Sequence, residues 1–378
     1  MFLPPVAPPG TVAAAAASAG DNEPIAAPAT RWGWRAFAAF LGGGLLAASG
    51  FAAAQEFSAS SEPVEATAPI STGAQPDSTT PSIVVEPPAL DTTEPAAFVA
   101  QVLGPAIVQV EIPNLGLGSG VVFDDGLIMT NHHVIDGSTD VEIRTADGRV
   151  LPGQVLGSDA RTDIAVVSVG TGSGLPVAEL ALGVDLQVGQ TTVAIGSPFQ
   201  LQQTVTSGII SSLNRPVFNG VGFNPMIQTD AAINQGNSGG ALADRSGRVI
   251  GINTAIQTDG LSTGNLGVGF AVPIDTAKGI ADRILAGEPI EAGFLGVSGG
   301  QTADGSSGVS VDDLTAGSAA DLAGLLVGDR IISIDGAPVT TIEELAGLVQ
   351  TKFPGDTVDI ELFRNGERLT IQAVLSQR

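Results

Sequence analysis

Ser238 stands in the run Gly236-Asn237-Ser238-Gly239-Gly240, where a serine could act as a nucleophile if two needs are met. At neutral pH a hydroxyl is a poor nucleophile until a base takes its proton, and its attack on a carbonyl creates an oxyanion that preset donors must hold. Glycine serves the second need: without a Cβ, Gly236 and Gly239 reach turn geometries that aim backbone N–H groups at one point and admit a substrate carbonyl. The same five residues also read as a Gly-rich turn between two strands. The base and its partner decide between these readings. Thr130-Asn131-His132-His133-Val134 follows the apolar run Gly126-Leu127-Ile128-Met129 and holds both histidines of the chain. Thr162-Asp163-Ile164-Ala165-Val166 opens another strand-like run, which puts Asp163 where a buried carboxylate could steady an imidazole.

The order along the chain is His, Asp, Ser, the order of the chymotrypsin fold and not that of subtilisin or the α/β-hydrolases. Around it lie Gly118-Ser119-Gly120, Ile195-Gly196-Ser197-Pro198-Phe199, Thr206-Ser207-Gly208-Ile209, Thr229-Asp230-Ala231-Ala232-Ile233-Asn234 and Gly269-Phe270-Ala271-Val272-Pro273. On these motifs the chain, over about residues 95–375, resembles the bacterial HtrA/Deg serine proteases, a trypsin-like domain followed by a PDZ domain. The resemblance implies roles. Ser238 is the nucleophile, His133 the general base and then acid, and Asp163 the group that fixes the tautomer and stabilises the imidazolium. The family's Thr-Asn-x-His-Val pattern selects His133 over His132. Asp159 is the rival carboxylate, but only Asp163 precedes Ile-Ala-Val as the pattern asks. The N–H groups of Gly236 and Ser238, with Asn237 between them, form the implied oxyanion hole.

Digestive relatives carry Asp just before the nucleophile, paired with a newly cut N-terminal amine. Asn237 cannot supply that ion pair, so the family's loop rearrangement is expected in place of activation by clipping. The segments after Ile195 and Ile209, including Arg215, and Asn253 to Gly264 are the positions for it; Arg215 also reads as an ordinary exposed arginine. The implied substrate pocket has Ala232, six residues before the serine, at its base, with Ile233, Asn253 and Thr254 beside it. No carboxylate is present there to pair with Lys or Arg, so cleavage after small or medium aliphatic residues is expected.

Twelve short apolar runs bounded by Gly, Asn, Asp and Pro lie between Ile107 and Val272, from Ile107–Ile112 and Gly120–Phe123 to Val249–Thr254 and Gly267–Val272. Such spacing indicates an all-β sandwich or barrel. The resemblance sharpens this to a mostly β chain with a chymotrypsin-like double β-barrel at 95–288. Phe98 to Leu103 and Thr276 to Leu285 read as helices before and after it. Gly116-Leu117-Gly118-Ser119-Gly120 lacks the Lys-Ser/Thr ending of a phosphate loop and no helical pattern follows, so it reads as a tight strand entry.

From Glu291 the pattern changes. Gly293-Phe294-Leu295-Gly296-Val297 resembles the carboxylate-binding loop of a PDZ domain, here 289–378, and residues 317–325 together with 327–336 resemble its middle. Thr341 to Gln350 carries Ile342, Leu345, Leu348 and Val349 at helical spacing. A peptide would add as a strand beside that helix. Phe294, Leu295, Gly296, Val297, Leu345 and Val349 are the groove candidates, and each also fits an ordinary core position.

The 378-residue chain has room for two or three domains. Its net charge of −24 repels phosphates and argues against nucleic acid. It has no cysteine, so there is no disulfide framework and no Cys-His zinc site, and two adjacent histidines make a poor metal cage. No metal or organic cofactor is called for. Residues 1–30 are Pro- and Ala-rich with no face to bury and read as disordered. Arg31-Trp32-Gly33-Trp34-Arg35 then precedes nineteen residues without a charge, Ala36–Ala54. As a helix these rise about 28 Å, enough for a hydrocarbon core of roughly 30 Å. Ala52-Ala53-Ala54 equally fits a signal-peptide cleavage site; both readings export the rest. Residues 55–94 carry seven acidic residues and no Lys or Arg, a disordered tether. The expectation is a single-pass, membrane-anchored, extracytoplasmic serine endopeptidase of protein quality control. It acts on misfolded polypeptides, binds hydrophobic C-termini at its PDZ domain, and assembles as the family's homotrimer. A non-proteolytic PDZ scaffold or holdase, and a site-specific signalling protease, are the alternatives.

Overall fold

A computed structural model describes residues 93–378 apart from 113–115, 200–201, 235, 255–266 and 303. The expected disordered segment at 1–30, the expected membrane helix at 31–54 and nearly all of the expected tether at 55–94 lie outside the described residues, as does most of the segment Asn253 to Gly264. Among the described residues no helix is long and apolar enough to cross a membrane.

Helix α1 (Pro95–Leu103) starts on a proline, whose fixed φ and missing N–H cost nothing at that position, and buries Val99 and Leu103. Six strands follow: β1 (Ile107–Ile112), β2 (Gly116–Asp124), β3 (Leu127–Thr130), β4 (Asp140–Arg144), β5 (Val150–Asp159) and β6 (Ile164–Ser168), with the one-turn helix α2 (His132–Ile135) between β3 and β4. They close as a barrel in the order β1-β2-β3-β6-β5-β4. Val108, Val110 and Ile128 fill its interior, and a Cβ at Gly120 would lie 2.5 Å from Ile128. A side chain there would displace the core.

Strands β7 (Thr191–Phe199), β8 (Gln202–Phe218), β9 (Phe223–Thr229), β10 (Ala241–Asp244), β11 (Val249–Thr254) and β12 (Gly269–Pro273) close a second barrel, ordered β10-β11-β12-β9-β8-β7. Helix α3 (Ile274–Ala286) leaves β12 directly, buries Ile274, Ala277, Ile280 and Ala281, and stops at Gly287 with φ 66°. The twelve expected strand runs all appear. Strand β8 runs on through Asn214 and Pro216, residue types that usually end a strand, because irregular pairing around Ser212 absorbs Asn214, at φ 54°, and lets Pro216 pair with Pro225. The resulting β8–β9 hairpin ends in the rings of Phe218 and Phe223, tilted by 50° to each other with centroids 5.3 Å apart.

After the two barrels come strands β13 (Val297–Gln301), β14 (Val309–Leu314), β15 (Arg330–Ile334), β16 (Ala337–Pro338), β17 (Thr357–Arg364) and β18 (Glu367–Val374), with helices α4 (Ala319–Ala323) and α5 (Ile342–Gln350). Their sheet runs β13-β14-β15-β17-β18, with β16 on β15. Thr341 and Glu344 form a reciprocal capping box that starts α5 where the sequence places it. Asp329 is buried, which opposes its ionisation. Arg364 binds it through Nε at 2.7 Å and Nη2 at 2.6 Å, Leu326 N–H adds a third bond, and the net effect holds its carboxyl below the usual range. Helix α5 packs on the β8–β9 hairpin, where a Cβ at Gly347 would touch Phe223 O at 3.4 Å and Pro225 Cδ at 3.5 Å.

Candidate active site

Asp163 sits on the approach to β6 with φ 59°, a left-handed conformation uncommon outside glycine and eased for Asp and Asn. What holds it there is local. Asn131 Nδ2 donates to the Asp163 carbonyl at 2.9 Å, and His132 N–H donates to the same oxygen at 3.2 Å. The segment after β3 and the segment before β6 are thereby fastened together, as the pairing of Thr130 with Ala165 requires.

The carboxylate of Asp163, in a residue only 8% exposed, is fully engaged. His133 Nδ1 lies 2.8 Å from Oδ2 and 3.0 Å from Oδ1, and the backbone N–H of His133 donates to Oδ1 at 3.0 Å. From the other barrel Thr254 Oγ1 donates to Oδ2 at 2.8 Å. The imidazole of His133 keeps 45% of its surface open, so the pair is anchored on one side and reachable on the other. With Nδ1–H donating to the carboxylate, Nε2 is left as the acceptor.

The two rivals, His132 and Asp159, have other partners. His132 Nδ1 meets Ser158 Oγ at 2.9 Å. Asp159 takes Thr162 Oγ1 at 2.8 Å and the Arg161 guanidinium at 3.2 Å.

The serine turn is tied to the first barrel by Ser119. Its N–H donates to Ser238 O at 2.8 Å, and its Oγ donates to Gly236 O at 2.7 Å while accepting from Ser197 N–H at 2.7 Å. Thr130 Oγ1 in turn donates to Ser119 O at 2.7 Å. Gly236 and Gly239 have φ 94° and 83°, and a Cβ at Gly239 would stand 2.1 Å from Ser119 O. Both glycines are therefore demanded by backbone geometry. A Cβ at Gly118 would clash with Val134 at 2.6 Å and reach Ser238 O at 3.1 Å, so α2 and the serine turn converge on that one glycine. Asn237 is buried, with its Oδ1 against the backbone of Gly196 and no charged partner among the described residues.

Of the expected pocket residues, Ala232 is half-buried at the base of the turn, and its carbonyl accepts from Thr206 Oγ1 at 3.0 Å. Ile233 packs in the core of the second barrel. Asn253 and Thr254 are buried too: Asn253 Nδ2 donates to Ala241 O at 2.8 Å and Thr254 Oγ1 to Asp163. The side chains of Asn253 and Thr254 are thus held in the site's framework. Arg215 is exposed on β8. Ser119, Asn131 and the hydroxyl of Thr254 are the positioning groups that the sequence reading missed. The first two lie inside quoted motifs, whereas Thr254 carries no local signal, since its partner lies ninety-one positions away.

Phe294, Leu295, Gly296, Val297, Leu345 and Val349 all line one cavity of about 340 Å³ between α5 and the loop before β13.

Two closed six-stranded barrels, with an Asp–His pair from one and a glycine-flanked serine turn from the other, define the trypsin-like peptidase class. Residues 118–252 match the trypsin-like peptidase domain family and residues 293–375 the PDZ domain family. The periplasmic serine endoprotease DegP of Salmonella typhimurium is 38% identical over 275 residues, covering 70% of this chain and 57% of its own length. The putative serine protease HhoA of Synechocystis sp. is 39% identical over 284 residues, 69% of this chain and 71% of its own. The solved structure of the HtrA-type protease AlgW with a tripeptide is 34% identical, with a TM-score of 0.59 over 74% of this chain and 96% of its own. The chain belongs to the HtrA-type serine protease family, and it spans little more than half the length of the DegP relative.

Proposed function

We propose that this protein is a serine endopeptidase that hydrolyses exposed segments of polypeptides through Ser238, His133 and Asp163. The observation that carries this reading is the Asp163 carboxylate gripped at once by His133 and Thr254, beside a serine turn pinned by Ser119. Ser238 Oγ attacks the scissile carbonyl and its proton passes to His133 Nε2. Asp163 stays ionised and stabilises the imidazolium. The N–H groups of Gly236 and Ser238 receive the oxyanion. His133 then protonates the leaving amine, and a water repeats the sequence in reverse to release the acyl group.

Ala232 at the pocket base supports cleavage after small or medium aliphatic residues. Mass spectrometry of an unfolded casein digest, with a fluorophosphonate label mapped in parallel, tests function and specificity together. Labelling at Ser238 with aliphatic residues before the cut supports both; a Lys/Arg preference sinks the specificity, and absence of cleavage and label sinks the function. Thr254→Val, which removes one hydrogen bond to Asp163, is expected to lower kcat about tenfold, with Thr254→Ser restoring it. Unchanged kcat in Thr254→Val would remove Thr254 from the site.

The work is divided between a protease domain at 95–288 and a PDZ domain at 289–378 whose groove takes hydrophobic peptide C-termini. Nineteen uncharged residues flanked by Arg31 and Arg35 support a membrane anchor with the enzyme outside the cytoplasm, in keeping with the periplasmic name of the DegP relative. Release of the full chain by alkaline carbonate would refute anchoring. Assembly as a homotrimer rests on the family resemblance, and a monomeric mass by light scattering would refute it.

A further inference from the structure

The peptide cavity is not built from the PDZ domain alone. Arg161 and Val221 of the protease domain stand in its wall beside Phe294, Gly296 and Gln350. Arg161 is held firmly. Its carbonyl accepts from Asn219 Nδ2 at 2.9 Å and from Asn224 Nδ2 at 2.6 Å, and its Nη1 donates to Gln350 O at the end of α5. Its side chain is only 12% exposed, and its buried Nη2, without a hydrogen bond among the described residues, faces Asp159 Oδ2 at 3.2 Å as an ion pair. A guanidinium has five donors in a planar fork suited to a carboxylate; here Nη1 is taken by Gln350 O and Nη2 is set against Asp159, so an incoming carboxylate competes with Asp159 for it.

The surroundings favour an anion. The chain carries 39 acidic residues against 15 Lys and Arg, yet the described residues that line this cavity include Arg161 and Arg378 and no Asp or Glu. In the adjoining loop the buried N–H groups of Leu295 and Gly296 find no partner among the described residues, while those of Gly293 and Phe294 are taken by Lys352 O and Ser376 O. Gly296 at φ 81° turns this backbone into a concavity of donors.

We propose that Arg161 is a specificity residue of the peptide groove, a cation lent by the protease domain that reads a carboxylate near the end of the bound peptide. This rests on the peptide-binding reading of the PDZ domain. The carboxylate comes either from the peptide's own C-terminus or from an acidic side chain at its penultimate position; both offer the fork the same two oxygens. A peptide ending in an amide, with no acidic side chain there, loses this contact and leaves the guanidinium buried beside Asp159 alone.

The test uses the full chain carrying Ser238→Ala, so that peptides are bound and not cut. The probe is a pool of fluorescein-labelled decapeptides with apolar final residues, made as free acids and as amides, each with Glu or Gln at the penultimate position. Fluorescence anisotropy gives affinities with Arg161 intact and with Arg161→Gln or Arg161→Lys added. Arg161→Gln is expected to lower one preference about tenfold. A fall in the acid-over-amide ratio assigns the terminal carboxylate, and a fall in the Glu-over-Gln ratio assigns the side chain. Arg161→Lys, which keeps charge without the fork, recovers part of that preference.

A merely structural role for Arg161 would weaken all peptides alike, so both ratios staying within twofold in Arg161→Gln overturns the proposal, whatever the variant's stability. If Arg161-intact protein binds none of the pool, the peptide-groove reading itself fails. If it binds but the ratios ignore Arg161, the groove stands and only the role of Arg161 falls.

Discussion

Alanine at Ser238 is expected to lower kcat for casein hydrolysis about 10⁶-fold, the scale seen when a serine hydrolase loses its nucleophile. The turn is held by groups other than the Ser238 hydroxyl: Ser119 grips the carbonyls of Ser238 and Gly236, Gly239 N–H donates to Asn253 O at 2.9 Å, and Gly240 N–H donates to Asn237 O at 2.9 Å. Removing Oγ therefore leaves in place the backbone donors proposed for the oxyanion, and any residual rate is expected to come from them and from substrate binding. Folding stability should change by only about 1 kcal/mol, the net worth of an ordinary hydrogen bond. Rate assays and thermal unfolding of the same preparation separate the two effects. Loss of less than about 100-fold, with fluorophosphonate label still incorporated elsewhere, would assign the chemistry to another nucleophile.

Much of this architecture was legible because it is written locally. Strand runs such as Ile107–Ile112 and Ile164–Ser168 are short, β-branched and bounded by turn residues, and the capping box at Thr341 marks the start of α5. The catalytic candidates were legible for a different reason: His133, Asp163 and Ser238 each sit in a motif whose neighbours are fixed by backbone demands, as with Gly239 against Ser119 O. Hidden from sequence were contacts between distant segments of ordinary type. Thr254 resembles any buried strand threonine until β11 brings its hydroxyl to Asp163. Arg161 resembles a solvated loop cation until α5 settles over it and Gln350 O takes its Nη1. The extent of β8 was hidden too, since Asn214 and Pro216 signal a break that the irregular pairing around Ser212 absorbs.

Asparagine at Asp163 is expected to cut kcat about 10⁴-fold near neutral pH while leaving the fold intact. The left-handed φ of 59° at this position suits Asn as well as Asp, and the substitution is isosteric, so thermal unfolding should be little changed. The damage follows from donor and acceptor matching. The backbone N–H of His133 points at Oδ1 at 3.0 Å and cannot turn away, so the amide oxygen must take that place. The amide nitrogen is then left in the place of Oδ2, 2.8 Å from His133 Nδ1 and 2.8 Å from Thr254 Oγ1. The threonine hydroxyl can rotate to accept, but the imidazole has to present Nδ1 as an acceptor, which moves its proton to Nε2. A ring protonated at Nε2 cannot take the proton of Ser238. The negative charge that would stabilise the imidazolium is gone as well. Asp163→Asn should therefore be no more active than Asp163→Ala, even though it preserves more of the hydrogen-bond network. Kinetics of the two variants on casein check this, and an asparagine variant within tenfold of wild type would mean that Asp163 neither sets the tautomer nor carries the charge on which turnover depends.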